Sequence, residues 1–297
     1  MDFNCPGFRG YLAPHELLSR HTSLKVGGPA DIFAAPEDEA DLLVLTRWLE
    51  QRCMPHFIIG GGYNLLISDK GVRGAVISLE RLTRISLIDP VRGLLRAEAG
   101  AENLHVVRFA QGRNLGGIGF ISGIPGTIGG AIKMNAGAYG SGIMERVRSL
   151  TLLRNGMVSE YLAQELDYGY RRLTLSPGDI ILAALFALAE CDAGDTEEEI
   201  RKDQELRRMK HAVGYPSAGS FFKNPPGHTA WRLMDQAGVR GTQVGGAQVS
   251  EVHSNFLINR GGATACDFLE LAAQVKERVK AVTGVDLEEE VRIVGEK

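Results

Sequence analysis

A few side chains in this sequence are of types that can hold or move charge at a reacting centre. Ser220 follows Gly219 in the run Gly219-Ser-Phe-Phe-Lys-Asn-Pro225. A serine hydroxyl is a weak acid, so it gives up its proton only when placed closely against a strongly basic acceptor. A nucleophilic serine is a rival role, but Gly-Ser-Phe-Phe-Lys is not the G-x-S-x-G elbow. A serine that merely shapes a Gly-Ser turn is a further reading. Arg171 stands beside Tyr170 and Arg172. Its guanidinium meets a carboxylate as a planar, two-pronged donor and stays charged throughout; a solvated surface arginine is the alternative. Glu288, Glu289 and Glu290 precede Val291-Arg292. A carboxyl facing a developing anion is useful if protonated or if it orients a donor, and burial with like charge raises its pKa in that direction. A solvated acidic turn is the plainer reading. Lys223 and Asn224 offer contacts to phosphate or polar groups. His253 could line a pocket or serve as a hydrogen-bonded structural histidine.

Two glycine-rich segments could bring backbone close to a ligand. Gly60-Gly-Gly-Tyr-Asn-Leu65 follows the apolar run at 56–60 and superficially invites the dinucleotide fingerprint G-x-G-x-x-G. It fails at Leu65, where the third glycine belongs, and the residues that follow do not open a helix. What remains is a strand end at which consecutive bare N–H groups can face an anion, or a tight loop with no ligand. The stretch from Gly116 to Gly140 holds nine glycines in 25 residues, with Ile, Phe and Met interleaved. A flexible linker would lack those apolar residues. A backbone both packed and closely approached suits a loop over a flat cofactor with a pyrophosphate, or a glycine-rich turn inside an α/β core.

The elements that must carry these residues read as mixed α and β. Residues 31–35 form a strand stopped by Pro36, 37–53 an amphipathic helix on Leu42, Leu45, Trp48 and Leu49, and 56–60 and 74–79 strands, giving β-α-β. Strands at 94–98 and 180–185 and a helix starting near 101 follow. Residues 192–199 turn acidic and small, a boundary, and 200–210 read as a charged surface helix. Thr264 and Asp267 cap a long helix with the stripe Phe268, Leu271, Val275, Val279 and Val282, and Gly284 ends it. A strand at 291–294 closes the chain. The 297 residues are 44% hydrophobic and 23% charged, with net charge −3. That supports a substantial core and gives no reason to expect nucleic acid. Cys5, Cys53, Cys191 and Cys266 lie far apart, so neither a zinc site nor a dithiol motif is suggested, and the chain is expected in a reducing cytoplasm. There is no signal-peptide pattern and no run long enough to span a bilayer.

Taken together, the motifs resemble one family. His21-Thr-Ser-Leu-Lys-Val-Gly-Gly-Pro-Ala, Gly60-Gly-Gly-Tyr-Asn-Leu-Leu, Ser122-Gly-Ile-Pro-Gly-Thr-Ile-Gly-Gly-Ala, Met134-Asn-Ala-Gly-Ala-Tyr-Gly, Tyr170-Arg171, Pro216-Ser-Ala-Gly-Ser-Phe-Phe-Lys-Asn-Pro, Gly245-Gly-Ala-Gln-Val-Ser and Glu290-Val-Arg occur in order from about residue 20 to the C-terminus. They are similar to the UDP-N-acetylenolpyruvoylglucosamine reductases, the MurB family. Only 48 residues separate Arg171 from Ser220, which resembles the shorter branch without a Tyr-bearing insertion. Tyr63 stands where the family has Ser, Leu173 where it has Tyr-Arg-x-Ser, and His211-Ala212 where Gln-Pro is common.

The resemblance implies an α+β fold. An FAD-binding region of the vanillyl-alcohol-oxidase (PCMH-like) type would cover 1–198, in subdomains of about 1–82 and 83–198. A substrate domain would cover 199–297, its last strand returning to the FAD region. It further implies non-covalent FAD, NADPH as co-substrate, and reduction of UDP-N-acetylglucosamine enolpyruvate in peptidoglycan precursor synthesis, by a monomer. An FAD-dependent oxidase of the same fold and a non-catalytic flavin protein are the alternatives. By family position Ser220 is the proton donor, with Arg171 and Glu290 as the other catalytic residues. Gly60, Gly61, Gly62, Tyr63, Asn64, Leu65, Ser122, Gly123, Ile124, Gly126, Thr127, Gly129, Asn135 and Gly137 fall to the cofactor. Tyr170, Lys223, Asn224, His253 and Arg292 fall to the substrate, and no metal is expected.

Overall fold

The strand expected at residues 31–35 is present as Ala30–Ala35 and is buried along almost its whole length. The helix that follows, Glu39–Glu50, starts where the Asp38 carboxylate accepts the Asp41 N–H at 2.8 Å. Its apolar stripe of Leu42, Leu45, Trp48 and Leu49 is buried. The strand His56–Ile59 then lies parallel to Val72–Ser78, completing a four-stranded sheet in the order Tyr11–Pro14, Ala30–Ala35, Val72–Ser78, His56–Ile59. The structure, a computed structural model, describes residues 4–138, 141–191, 197, 198, 201, 205 and 213–296. The acidic boundary at 192–199, the charged helix at 200–210, Tyr139-Gly140 and His211-Ala212 lie wholly or largely outside the described residues.

The chain forms two units. The first comprises Met1–Pro14, Ile32–Gly61 and Gly74–Leu206. Besides the sheet above it holds an antiparallel five-stranded sheet ordered Met157–Leu162, Val147–Arg154, Ile180–Ala187, Leu94–Glu98, Ile85–Asp89. One continuous apolar cluster joins the strands of both sheets to the helices Glu39–Glu50, Asn103–Gln111 and Ile128–Lys133. Leu173 is part of that cluster, which accounts for an apolar residue there.

The second unit comprises His15–Asp31, Gly62–Arg73 and Arg207–Lys297. Its antiparallel sheet runs Ser217–Ser220, Phe256–Asn259, Ala247–Val249, Gln243–Val244. The helices Ala230–Gln236 and Ala265–Thr283 share its core with Phe221 and Phe222. The long helix has the expected ends: Thr264 and Asp267 exchange side-chain and backbone hydrogen bonds, and Gly284 takes a left-handed φ of 74°. One expectation is corrected, since Val282 is 50% exposed and the buried stripe ends at Val279. The last strand, Arg292–Val294, lies parallel to Leu65–Ile67, within the same unit. Among the described residues no helix is long and apolar enough to cross a membrane.

Candidate functional site

In the second unit, backbone pairing brings Ser220 and Glu290 onto adjoining segments. Ser217 pairs with Ile258 but Ser220 with Phe256, so the Ser strand carries one extra residue. Gly219 absorbs it at φ 76°, a left-handed conformation that suits glycine, and such a bulge re-aims the neighbouring side chain. Beyond Ser220 the chain stays extended. Phe221 accepts the Glu290 N–H at 2.8 Å, Lys223 N–H donates to the Glu288 carbonyl at 2.8 Å, and Phe222 bridges to Glu289. Phe221 and Phe222 are both about fully buried, with ring centres 5.2 Å apart, so this segment is anchored on both faces.

Asn255, which the sequence did not single out, fixes the same segment from the other side. Its carbonyl oxygen accepts from Phe221 N–H at 2.8 Å, and its buried side chain takes the Phe222 N–H at 2.9 Å and gives a hydrogen bond to the Phe222 carbonyl at 2.8 Å. Only an amide matches a donor and an acceptor on one residue in this way. The signal that could have found it is a polar Asn placed directly before the apolar run at 256–258.

The three neighbouring acids are distinguished by their surroundings. Glu288 forms an ion pair with Lys223, and Glu289 with Lys276 at 3.0 Å. Glu290 is half-buried, and its carbonyl accepts from Asn64 Nδ2 at 3.1 Å, while Arg292 N–H donates to the Asn64 carbonyl at 3.0 Å. Asn64 thus ties the glycine loop to the Glu290 segment on both sides of Val291. Its neighbours in the loop differ: Tyr63 is exposed, whereas the Gly62 carbonyl accepts from Ser23 and Leu65 is buried at the start of its strand. Asn224 Oδ1 accepts the Ala230 N–H at 2.9 Å, where the short helix begins. His253 packs edge-on against Phe256, ring centres 4.7 Å apart, and its burial holds the imidazole pKa below the ordinary value. It is therefore neutral at pH 7. Arg292 is exposed.

In the first unit, Tyr170 and Arg171 form the two-residue tip of a hairpin, with Gly169 paired to Arg172 and Tyr168 to Leu173. Arg171 has φ 54°, a conformation that costs a non-glycine residue about 1–3 kcal/mol and persists only where neighbours impose it. The guanidinium donates through Nη1 to the Gly137 carbonyl at 3.2 Å and lies 5.5 Å from the exposed Tyr170 ring. Asn135 Nδ2 donates to the Gly169 carbonyl at 3.0 Å.

The glycine-rich segment of this unit is braced from below. Asn103, also unsingled in the sequence, gives its backbone N–H to Gly126 and its side-chain N–H to the Ile124 carbonyl, at 3.0 and 2.9 Å. Gly129 N–H donates to Ala99 at 2.8 Å, where an added methyl would meet the Ala99 side chain at 2.9 Å. Gly123 is half-buried. The hydroxyls of Ser122 and Thr127 are buried and have no protein partner. Leaving a buried hydroxyl unpaired costs about 1–3 kcal/mol, so these two call for a ligand rich in hydrogen-bond acceptors. Gly60 and Gly61 are exposed, and a methyl at Gly60 would lie 2.7 Å from the Thr127 hydroxyl. Two unpaired hydroxyls beside bare glycine backbone fit the diphosphate of FAD. Among the described residues no cluster of His, Cys, Asp and Glu could hold a metal ion.

Comparison with known proteins divides the chain by sequence, and the first stretch includes residues 62–73, which fold with the second unit. The profile of the UDP-N-acetylenolpyruvoylglucosamine reductase C-terminal domain matches residues 211–294, and that of the FAD binding domain matches 30–159. The UDP-N-acetylenolpyruvoylglucosamine reductase of Pelobacter propionicus is 65% identical over the full length of both chains. The protein of the same name from Geotalea uraniireducens is 55% identical, covering 97% of this chain and 95% of that one. Among solved structures, the UDP-N-acetylenolpyruvylglucosamine reductase of Thermus caldophilus superposes with a TM-score of 0.82 at 32% identity, over 96% of this chain and 98% of that one.

Proposed function

The chain belongs to the UDP-N-acetylenolpyruvoylglucosamine reductase family, and from that premise we propose that Ser220, Arg171 and Glu290 are the groups with which it performs the family's reaction. The protein is an FAD-containing oxidoreductase of peptidoglycan precursor synthesis. It reduces UDP-N-acetylglucosamine enolpyruvate to UDP-N-acetylmuramate at the expense of NADPH. FAD, when bound, supplies the passage of hydride from NADPH to the substrate. We place it in the cytoplasm as a monomer. Residues 1–198 serve chiefly FAD and 199–297 chiefly the substrate, a division supported by the two profiles matching 30–159 and 211–294, although His15–Asp31 and Gly62–Arg73 fold with the C-terminal unit.

The residues carry the remaining work. Hydride added to the terminal vinyl carbon leaves an electron pair on the carbon beside the carboxylate, delocalised as an enolate-like dianion. Arg171 holds the carboxylate and offsets that charge as it grows. Ser220 gives its proton to the carbon, completing the lactyl ether, and is then reprotonated from water. A hydroxyl suits this step because the acceptor is a strong base and placement supplies the rest. Glu290 donates to the dianion as a protonated carboxyl or orients a donor to it. Ser122 and Thr127 hold the FAD diphosphate with the glycines at 60, 61, 62, 123, 126, 129 and 137, and Tyr63, Leu65 and Ile124 line the cofactor. Tyr170, Lys223, Asn224, His253 and Arg292 line the substrate.

The observation that carries this reading is the pairing of 221–223 with 288–290, which sets the serine and the glutamate on adjoining segments of one unit. The decisive experiment is anaerobic. NADPH should bleach the bound flavin, and UDP-N-acetylglucosamine enolpyruvate should then restore its absorbance in a single turnover. A flavin that bleaches but is not reoxidised by this substrate sinks the proposal, and an alcohol that reduces it directly favours an oxidase instead.

A further inference from the structure

Asn135 sits in a motif that reads as cofactor-binding, yet both ends of its side chain are engaged by protein. Nδ2 donates to the Gly169 carbonyl at 3.0 Å, and Oδ1 accepts the Met144 N–H at 3.1 Å. One partner is an acceptor and the other a donor, so the orientation of the amide is fixed and no carboxylate or aliphatic side chain can serve both. The residue itself has φ 39°, directly after the turn that ends the helix Ile128–Lys133. Gly142 makes room for the amide: a methyl there would stand 2.6 Å from Oδ1.

What Asn135 grips is the residue before the Tyr170-Arg171 tip. Two residues on, the Gly137 carbonyl accepts from the Arg171 guanidinium at 3.2 Å. The segment 135–137 therefore holds the hairpin at its backbone and at its charged end together. Arg171 is also the residue whose left-handed φ must be imposed by its neighbours. We infer that Asn135 is a positioning residue for Arg171: it holds the strained hairpin tip so that the guanidinium points at the substrate carboxylate. This rests on the role proposed for Arg171 and replaces a flavin contact for Asn135.

The test uses FAD-loaded Asn135→Asp and Gly142→Ala. The first sets a carboxylate oxygen against the Gly169 carbonyl; the second displaces the amide without altering Asn135. Flavin reduction by NADPH and FAD retention should stay within about threefold of the parent. Half-saturation for UDP-N-acetylglucosamine enolpyruvate in the reoxidation step should rise about tenfold or more, since small misplacements of a positioning group have effects up to about 10²-fold. On an Arg171→Lys background, adding Asn135→Asp should change that step by less than about twofold, because the two act through one interaction. Full multiplicative loss on that background overturns the inference. So does a loss of FAD retention and of the NADPH step as large as that in the substrate step. If Arg171→Lys alone raises half-saturation while both other variants are silent, only this inference fails. An Arg171→Lys variant that binds substrate normally overturns the proposed clamp itself.

Discussion

Arg171 stands at a hairpin tip in a strained backbone conformation and is held by side-chain and carbonyl contacts from 135–137, whereas Ser220 lies in a sheet strand whose left-handed position is taken by the adjoining Gly219, which adopts it without strain. The serine segment is fixed mainly by backbone hydrogen bonds, to 255 on one side and to 288–290 on the other. The contrast teaches where each half is vulnerable. A backbone ladder persists through most side-chain substitutions, so the serine half should fail chiefly at the hydroxyl itself or at Asn255. The arginine half depends on a few side-chain contacts, from Asn135 to Gly169, from Lys133 to Leu173 and from Arg171 itself to Gly137, and should fail by degrees. A hydroxyl that must meet one carbon gains from a rigid ladder, while a clamp for a carboxylate can sit on a hairpin, because ionic attraction tolerates more displacement than proton transfer.

The largest expected effect tests the serine half directly. Ser220→Ala should slow the reduction of UDP-N-acetylglucosamine enolpyruvate by about 10²–10⁴-fold, the range for loss of a positioned proton donor, with flavin reduction by NADPH near normal. Stopped-flow absorbance separates the steps, and equal loss in both would reveal a folding or flavin-binding defect. Next is Asn255→Ala, which leaves the Phe222 N–H and carbonyl buried without their partner. Each unpaired group costs about 1–3 kcal/mol, so thermal unfolding should show a drop larger than any at an exposed site. An unchanged melting temperature would mean that the ladder to 288–290 suffices alone.

Gly219→Ala is smaller and sharper. A methyl there meets nothing within 4 Å, so steric exclusion plays no part and only the left-handed φ is penalised, by about 1–2 kcal/mol. If the strand straightens to relieve it, the proton-transfer step slows about tenfold or more while stability is nearly regained; a stable variant with unaltered turnover would break the link between bulge and hydroxyl. The smallest effect concerns acid. His56 in the first unit and His253 in the second both have pKa values pushed below 6.5, chiefly by burial. Protonation therefore favours the unfolded chain: the stabilisation from neutral burial is fully present above pH 6.5 and is lost as pH falls through 6.5 toward the folded values. Denaturant midpoints on either side of pH 6.5 should converge slightly in His56→Gln and His253→Gln, and a steeper acid loss in either variant would contradict burial as the cause.

Local signals were legible in the sequence because their physics is local. The helix Ala265–Thr283 has the cap and the stop that Thr264, Asp267 and Gly284 announce. The strand Ala30–Ala35 and the helix Glu39–Glu50 follow their apolar periods. Where periodicity had to stand in for packing it overreached: Val282 continues the stripe in register but is 50% exposed. The order of motifs identified the family and directed attention to Ser220, whose neighbours in sequence say little about proton transfer.

What the sequence determined by itself was therefore the set of elements, the chemistry on offer and the kinship that gives them a reaction. Tertiary structure decided which residues share a unit. Gly62–Arg73 folds with residues more than 130 positions later, and Asn64 hydrogen-bonds to Glu290 at a separation of 226. It also decided what the two motif asparagines do. Asn64 and Asn135 lie in glycine-rich loops that look made for a cofactor, yet their amides brace the segments carrying Glu290 and Arg171. An amide's role is set by which donor and which acceptor come within about 3 Å of it, and for these partners only the folded chain supplies that proximity.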